Sequence, residues 1–208
     1  MKILNILYFL ILVIYLPRDL FAQDKTSNAT FLTPFVSYGS ENGRGNIGFS
    51  FGIKASKTLS KRVSWDGGLT YFSSNLININ QNSTTFTGED RYYHSVFITP
   101  SLSLRMIGKD NSKFIGRLSL GPSLKYYNYK DFRSGLLRVY SDGRVEAAPG
   151  ATIDYNENNG FNISFYGAMS FDAKISEKLR AGLFLDTYSS SVTPLEHLMP
   201  GIQFSIKL

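Results

Sequence analysis

The 208-residue chain carries 22 Lys and Arg against 16 Asp and Glu, a formal net charge of +6, and no cysteine. Disulfides, thiolate nucleophiles and lipid attachment to a cysteine are therefore excluded. The basic residues are spread thinly, Lys57, Lys61 and Arg62 in one turn and Lys109 and Lys113 in another, and form no basic helix or stripe with a nucleic-acid motif.

The chain opens with Lys2, an apolar run from Ile3 to Leu16 broken by Asn5, and a polar turn at Pro17, Arg18 and Asp19. A charged start, a short apolar run and the small Ala22 before Gln23 read as a cleaved signal peptide over residues 1–22. The run is short of the ~20 residues that a helix needs to cross a bilayer. Residues 23–29 read as a short periplasmic segment and 30–208 as one domain.

From there no stretch keeps apolar residues at helical spacing for three turns, whereas period-two alternation recurs to the end. Strands are expected at about 30–38, 46–56, 63–72, 92–106, 114–127, 161–174 and 179–188, with a last strand closing the chain. The clearest places Ile47, Phe49, Phe51, Ile53 and Ala55 on one face against Gly48, Ser50, Gly52 and Lys54. The last sets Ile202, Phe204, Ile206 and Leu208 against Gln203, Ser205 and Lys207. Short connections near 57–61, 107–112 and 176–178 alternate with longer ones at 73–90, 129–160 and 189–199. That is the arrangement of an all-β, eight-stranded antiparallel up-and-down transmembrane barrel with both termini in the periplasm.

The polar face carries Lys54, Asp66, Arg105, Arg117, Lys125, Asp172, Lys174, Arg180, Asp186 and Lys207, charges of both signs that can pair across a narrow interior. The reverse arrangement, charged outside, would be a soluble lipocalin-like barrel. Tyr38, Tyr71, Tyr92, Tyr126 and Tyr188 at one set of strand ends read as an outer aromatic girdle, with Trp65, Phe114 and Phe171 at the other. Phosphates of lipopolysaccharide are the expected partners of the net positive charge.

Two features strain this pattern. Pro34, Pro100 and Pro122 fall inside strands of a wall that has no edge, and a bulge or local break is expected where Pro100, roughly opposite residue 119 or 120, reaches the height of Pro122. The segment Leu136 to Tyr155, with its Asp142-Gly143 turn signal, reads as a β-ribbon extending the third long loop, or as two further wall strands making ten.

The Phe-Ala-Gln signal end, Gly121 to Tyr126 and the closing Pro200 to Phe204 make the chain resemble outer-membrane β-barrel proteins common in Bacteroidota, similar in form to small OmpX and OmpA barrels. The resemblance implies location and assembly, and brings no shared enzymatic site. It also implies that the last strand engages the barrel-assembly machinery, with Phe204 standing in for the terminal aromatic that Leu208 does not supply.

Chemistry is sparse. Gly43-Arg44-Gly45-Asn46-Ile47-Gly48 has dinucleotide-binding spacing but leads into a strand rather than a helix. His94 and His197, the candidate general bases, are expected near the outer rim as interfacial or loop histidines. His94 and Ser95 are adjacent and so face opposite ways, leaving Ser73, Ser74 or Ser189 as candidate nucleophiles of a lipid-modifying enzyme. Glu89, Asp90, Asp154 and Glu157 lack metal-ligand spacing, and Asn28, Asn82 and Asn162 match a glycosylation pattern without assigned role. No catalytic, cofactor-binding or metal residue is expected, and no enzyme. The expected function is structural, a membrane anchor presenting surface loops to an extracellular partner, with a small-solute channel or a lipid-modifying outer-membrane enzyme as the alternatives.

Overall fold

A computed structural model describes residues 29–41, 46–75, 85–86, 92–109, 111–141, 144–150, 152, 154–190 and 195–208. The signal-peptide segment 1–22, the glycine pair Gly43 and Gly45, Asn28, Asn82, Glu89 and Asp90 lie outside these.

Eight strands close into one antiparallel barrel: β1 (Thr30–Glu41), β2 (Asn46–Thr58), β3 (Val63–Asn75), β5 (Tyr92–Ile107), β6 (Phe114–Ser134), β9 (Asp154–Lys174), β10 (Leu179–Ser189) and β11 (His197–Lys207). Neighbours in the wall are neighbours in sequence, and β1 closes on β11 through Phe31 opposite Lys207. Turns at 59–62, 108–113 and 175–178 gather at the end holding this closure, the turn end; the long connections lie at the other, the loop end. Gly108 takes the left-handed conformation, φ +82°, that the second turn requires.

Alternation sets the register because a slip of one residue would turn every side chain to the wrong face. Phe49, Phe51, Ile53 and Leu69 face outward, as do Phe161, Ile163, Phe165, Met169 and Phe171 on β9, while Ser50, Thr70, Ser164 and Asp172 are buried within. Most strands run longer than the sequence pattern indicates. The 21-residue β6 and β9 pair along their length from Phe114↔Ala173 to Ser134↔Asp154, so the third connection shrinks to 135–153.

The segment expected as a ribbon is one. Short strands β7 (Leu137–Val139) and β8 (Arg144–Ala147) pair antiparallel outside the wall, so the ten-strand alternative is overturned. A strand that alternation misses, β4 (Thr85–Phe86) from the second connection, adds parallel to β8 and completes a three-stranded sheet in the order β4-β8-β7.

Strand prolines collect in two seams. Between β5 and β6 the pairing stops after Ile98↔Leu124 and resumes at Leu102↔Leu120, which sets Pro100 level with Pro122 rather than with residue 119 or 120. The expected local break is present and needs no bulge, because two missing N–H groups that coincide interrupt the ladder without an extra residue. The one-residue shift lies instead at Arg105/Ile107. Between β1 and β11 the pairing skips Thr33 and Pro34, and again the stretch containing Met199 and Pro200.

Candidate functional site

The interior has two layers, each set by which residues the pleat turns inward. Toward the turn end it is polar. The Asp186 carboxylate accepts from Lys54 Nζ at 2.9 Å and from the Tyr166 hydroxyl at 3.1 Å. Asp172, fully buried, accepts from Arg117 Nη1 at 2.9 Å and from Gln203 Nε2 at 2.8 Å. Asp66 accepts from Ser103, which also meets Ser119, and Arg180 reaches the Ser112 carbonyl. Charges buried at this depth need such partners, since an unpaired one costs several kcal/mol, roughly 3–5 where its mate is removed. The expected pairing of inward charges is therefore present. Lys207 departs from it: at the last position of β11 it clears the wall and is exposed, and Lys174 turns to the exposed Glu177.

Toward the loop end the interior is aromatic. Phe72, Phe97, Tyr93, Tyr129, Tyr166, Tyr188 and Met199 form one buried cluster, with Tyr127 packed against it. Phe97 and Tyr188 have ring centroids 4.2 Å apart. Between the layers a cavity of ~10 Å³, the size of about one water, is lined by polar groups including Lys54, Asp66, Thr99 and Tyr188.

Tyr188 was expected in the outer girdle, yet it is 1% exposed. It shares its parity with the inward Asp186, so the strand that aims the carboxylate inward aims the phenol inward too. Tyr38 and Tyr126 do face outward, as does the partly buried Tyr71, which packs on Phe51.

The two histidines are parted by the wall. His197 is the first residue of β11 and fully buried, not a rim residue. Phe72, Tyr93, Phe97 and Tyr188 surround its ring at centroid distances of 5.2, 6.0, 5.2 and 6.2 Å. Neither ring nitrogen has a hydrogen-bond partner among the described residues. Beside it Lys125, 3% exposed, pairs with Glu196 and lies 3.4 Å from the Tyr93 hydroxyl. His94 faces outward, stacked on Tyr92 and Tyr71 at 5.0 and 5.9 Å, with Nδ1 3.0 Å from the Tyr71 hydroxyl.

Of the candidate serines, Ser73 lies directly across from His94, but the bond the ring makes is to Tyr71. Ser74 points inward and donates to the Ile47 carbonyl, and Ser189 sits opposite Phe165 on another part of the wall. Asp154 pairs with Arg133 at 3.5 Å and Glu157 with Lys130 at 3.3 Å. Among the described residues no group of three His, Asp or Glu side chains could hold a metal ion. Gly48, the described glycine of the dinucleotide-like motif, sits inside β2, where a β-carbon would meet Phe72 Cζ at 2.8 Å.

The aromatic layer and the third strand of the surface sheet, β4, are what sequence reasoning missed. Adjacent aromatics at Tyr71-Phe72, Tyr92-Tyr93 and Tyr126-Tyr127 are the signal: one of each pair must face inward.

No family model matches the chain, and no curated protein matches it. Among solved structures, Neisserial surface protein A is similar at 11% identity and a TM-score of 0.54, over 88% of this chain and 98% of that one. The N-terminal β-barrel domain of Pseudomonas aeruginosa OprF is similar at 11% identity and a TM-score of 0.52, over the same shares. At these identities the likeness is one of fold: a closed, eight-stranded antiparallel barrel.

Proposed function

We propose that this chain is an outer-membrane barrel protein, exported through the periplasm after loss of residues 1–22, which anchors a surface-interaction module formed by its longest connections. The observation that carries the reading is the reversed polarity of the wall. Phe49, Phe51, Phe161, Phe165, Met169 and Leu183 are 57–72% exposed, while Asp172 and Asp186 are buried. In water so wide an apolar surface would drive association, at ~25 cal/mol per Å² covered; in a bilayer it is matched to its solvent.

Strands rise about 3.3 Å per residue, so β6 and β9 are each roughly 70 Å long, well beyond the reach of a tilted strand that crosses a hydrocarbon layer of ~30 Å. Their far ends carry the sheet β4-β8-β7, where two connections that could have been loose are tied together by backbone pairing. A tied surface loses less entropy on binding than free loops. The proposed role is non-enzymatic, a reading supported by the hydrogen bonds of the histidines: His94 meets the Tyr71 hydroxyl rather than Ser73, and His197 bonds to no serine or carboxylate among the described residues. The proposed assembly partner is the barrel-assembly machinery, reading the outward Ile202, Phe204 and Ile206 of β11. Lipopolysaccharide is the proposed lipid partner at the loop end.

The test replaces 136–148 by a short turn. The variant is expected to fractionate with the outer membrane as a heat-shifting band while losing binding to the cell's surface partner. If surface phenotype and partner binding are unchanged, the module is not the function; if the native protein is found in the soluble fraction, the membrane reading falls with it.

A further inference from the structure

The net charge of the chain, dispersed in sequence, is gathered in space. Lys57, Lys61 and Arg62 at the first turn, Lys109 and Lys113 at the second, and Lys178 with Lys207 at the third are all exposed. They surround one opening: Lys57 lies opposite Thr30, Lys207 opposite Phe31, and the Lys207 amide donates to the Lys178 carbonyl at 2.8 Å. Among the described residues at this end the exposed acidic side chain is Glu177, and it is already engaged. Its carboxylate accepts from Lys174 at 2.6 Å, and that hydrogen bond and charge hold it below the ordinary glutamate range.

The loop end differs. There Lys130 pairs with Glu157, Arg133 with Asp154, and the Arg138 guanidinium lies over the Tyr140 ring at 5.3 Å. Among the described residues the excess of exposed cations thus belongs to the turn end.

Immediately above the cations the outward wall is apolar. Trp65 is 37% exposed, Ile107 57% and Phe114 51%, with Phe114 stacked on Phe171 at 5.6 Å. A ring of ammonium and guanidinium groups bordering an apolar belt has the geometry of a lipid interface: tails against the belt, headgroup phosphates against the ring.

We infer that the turn end is a basic collar that enriches anionic phospholipid headgroups in the bordering leaflet. This rests on the membrane reading above. Each cation near an anionic surface adds an attraction that decays within a Debye length, so the collar acts on the lipids next to the wall and is weakened by salt.

Trp65, the single tryptophan, reports on this end, and it pairs with Lys57 across β2 and β3. The experiment reconstitutes the folded barrel in phosphatidylcholine vesicles containing a minority of phosphatidylglycerol, with one lipid or the other brominated, and reads quenching of Trp65. Brominated phosphatidylglycerol is expected to quench several-fold more than its share of the bilayer, and high salt is expected to abolish the excess. The variant Lys57→Gln, Lys61→Gln, Arg62→Gln should lose the preference, and the corresponding arginine-for-lysine variant should keep it. Quenching in proportion to composition in the native protein, or a preference unaffected by salt, overturns the collar. Quenching by neither lipid overturns the membrane reading itself.

Discussion

Lys54 on β2 and Asp186 on β10 stand 132 positions apart in the chain and 2.9 Å apart across the lumen. The carboxylate is 1% exposed and the lysine 15%, so the pair is a strut across the barrel interior rather than a surface contact. Asp186→Asn alone leaves the ammonium without its counterion and is expected to cost about 3–5 kcal/mol in urea unfolding from lipid vesicles. The double variant Lys54→Met, Asp186→Leu is expected to recover most of that loss. A double variant no more stable than the single one would mean that the pair does more than neutralise itself.

His197 is buried among four rings with no hydrogen bond to either nitrogen among the described residues. Burial without a partner costs about 1–3 kcal/mol, so His197→Phe, which keeps the ring and removes the polar atoms, is expected to raise the unfolding midpoint. A lowered midpoint would show that the imidazole has a partner the packing does not reveal.

Gly121 faces inward where a β-carbon would fall onto the Pro100 carbonyl oxygen and lie 2.7 Å from the Ser101 α-carbon. Backbone on the neighbouring strand cannot give way cheaply, and Gly121→Ala is expected to destabilise by about 1–3 kcal/mol. At Gly68 the nearest atoms would be 3.6 Å away, an ordinary contact. Gly68→Ala is therefore expected to be neutral, or stabilising by up to ~1 kcal/mol through loss of freedom in the unfolded chain. Equal effects at the two sites would remove the close approach as the cause.

A small-solute channel would need a water-filled path through the aromatic layer. With Phe72, Phe97 and Tyr188 filling it, the native barrel in planar bilayers is expected to give no stepwise conductance. Truncating these three to alanine is expected to open measurable steps. Steps in the native protein would mean that the aromatic layer moves aside.

Much of the wall was legible because a barrel strand has one periodicity and two solvents. Ile47, Phe49, Phe51 and Ile53 announce a face, and Lys54 and Asp186 identify the opposite one as interior. Less legible was any position where both faces are aromatic. At Tyr92 and Tyr93 the pattern gives no sign of which ring points in, and the buried one is Tyr93, fixed by its parity with Phe97. His197 was misplaced for a related reason: it lies beyond the end of clear alternation, but β11 begins there and the pleat carries it inside. The strand β4 was illegible altogether, since Thr85 and Phe86 become a strand only by pairing with Arg144 and Val145 about 60 positions away, a partnership set by tertiary packing.

The seam between β1 and β11 is the one in which the first and last strands of the wall meet, and its pairing is broken at both prolines. Every other seam joins strands that follow one another around the wall, and those closed by the three short turns can zip in microseconds, as hairpins do. This one must wait for the entire circumference, at the greatest loop-closure cost, and then closes over an interrupted ladder. Closure at Pro34 and Pro200 is accordingly the late event in the folding of the protein, and any incomplete barrel carries two sticky borders until it occurs.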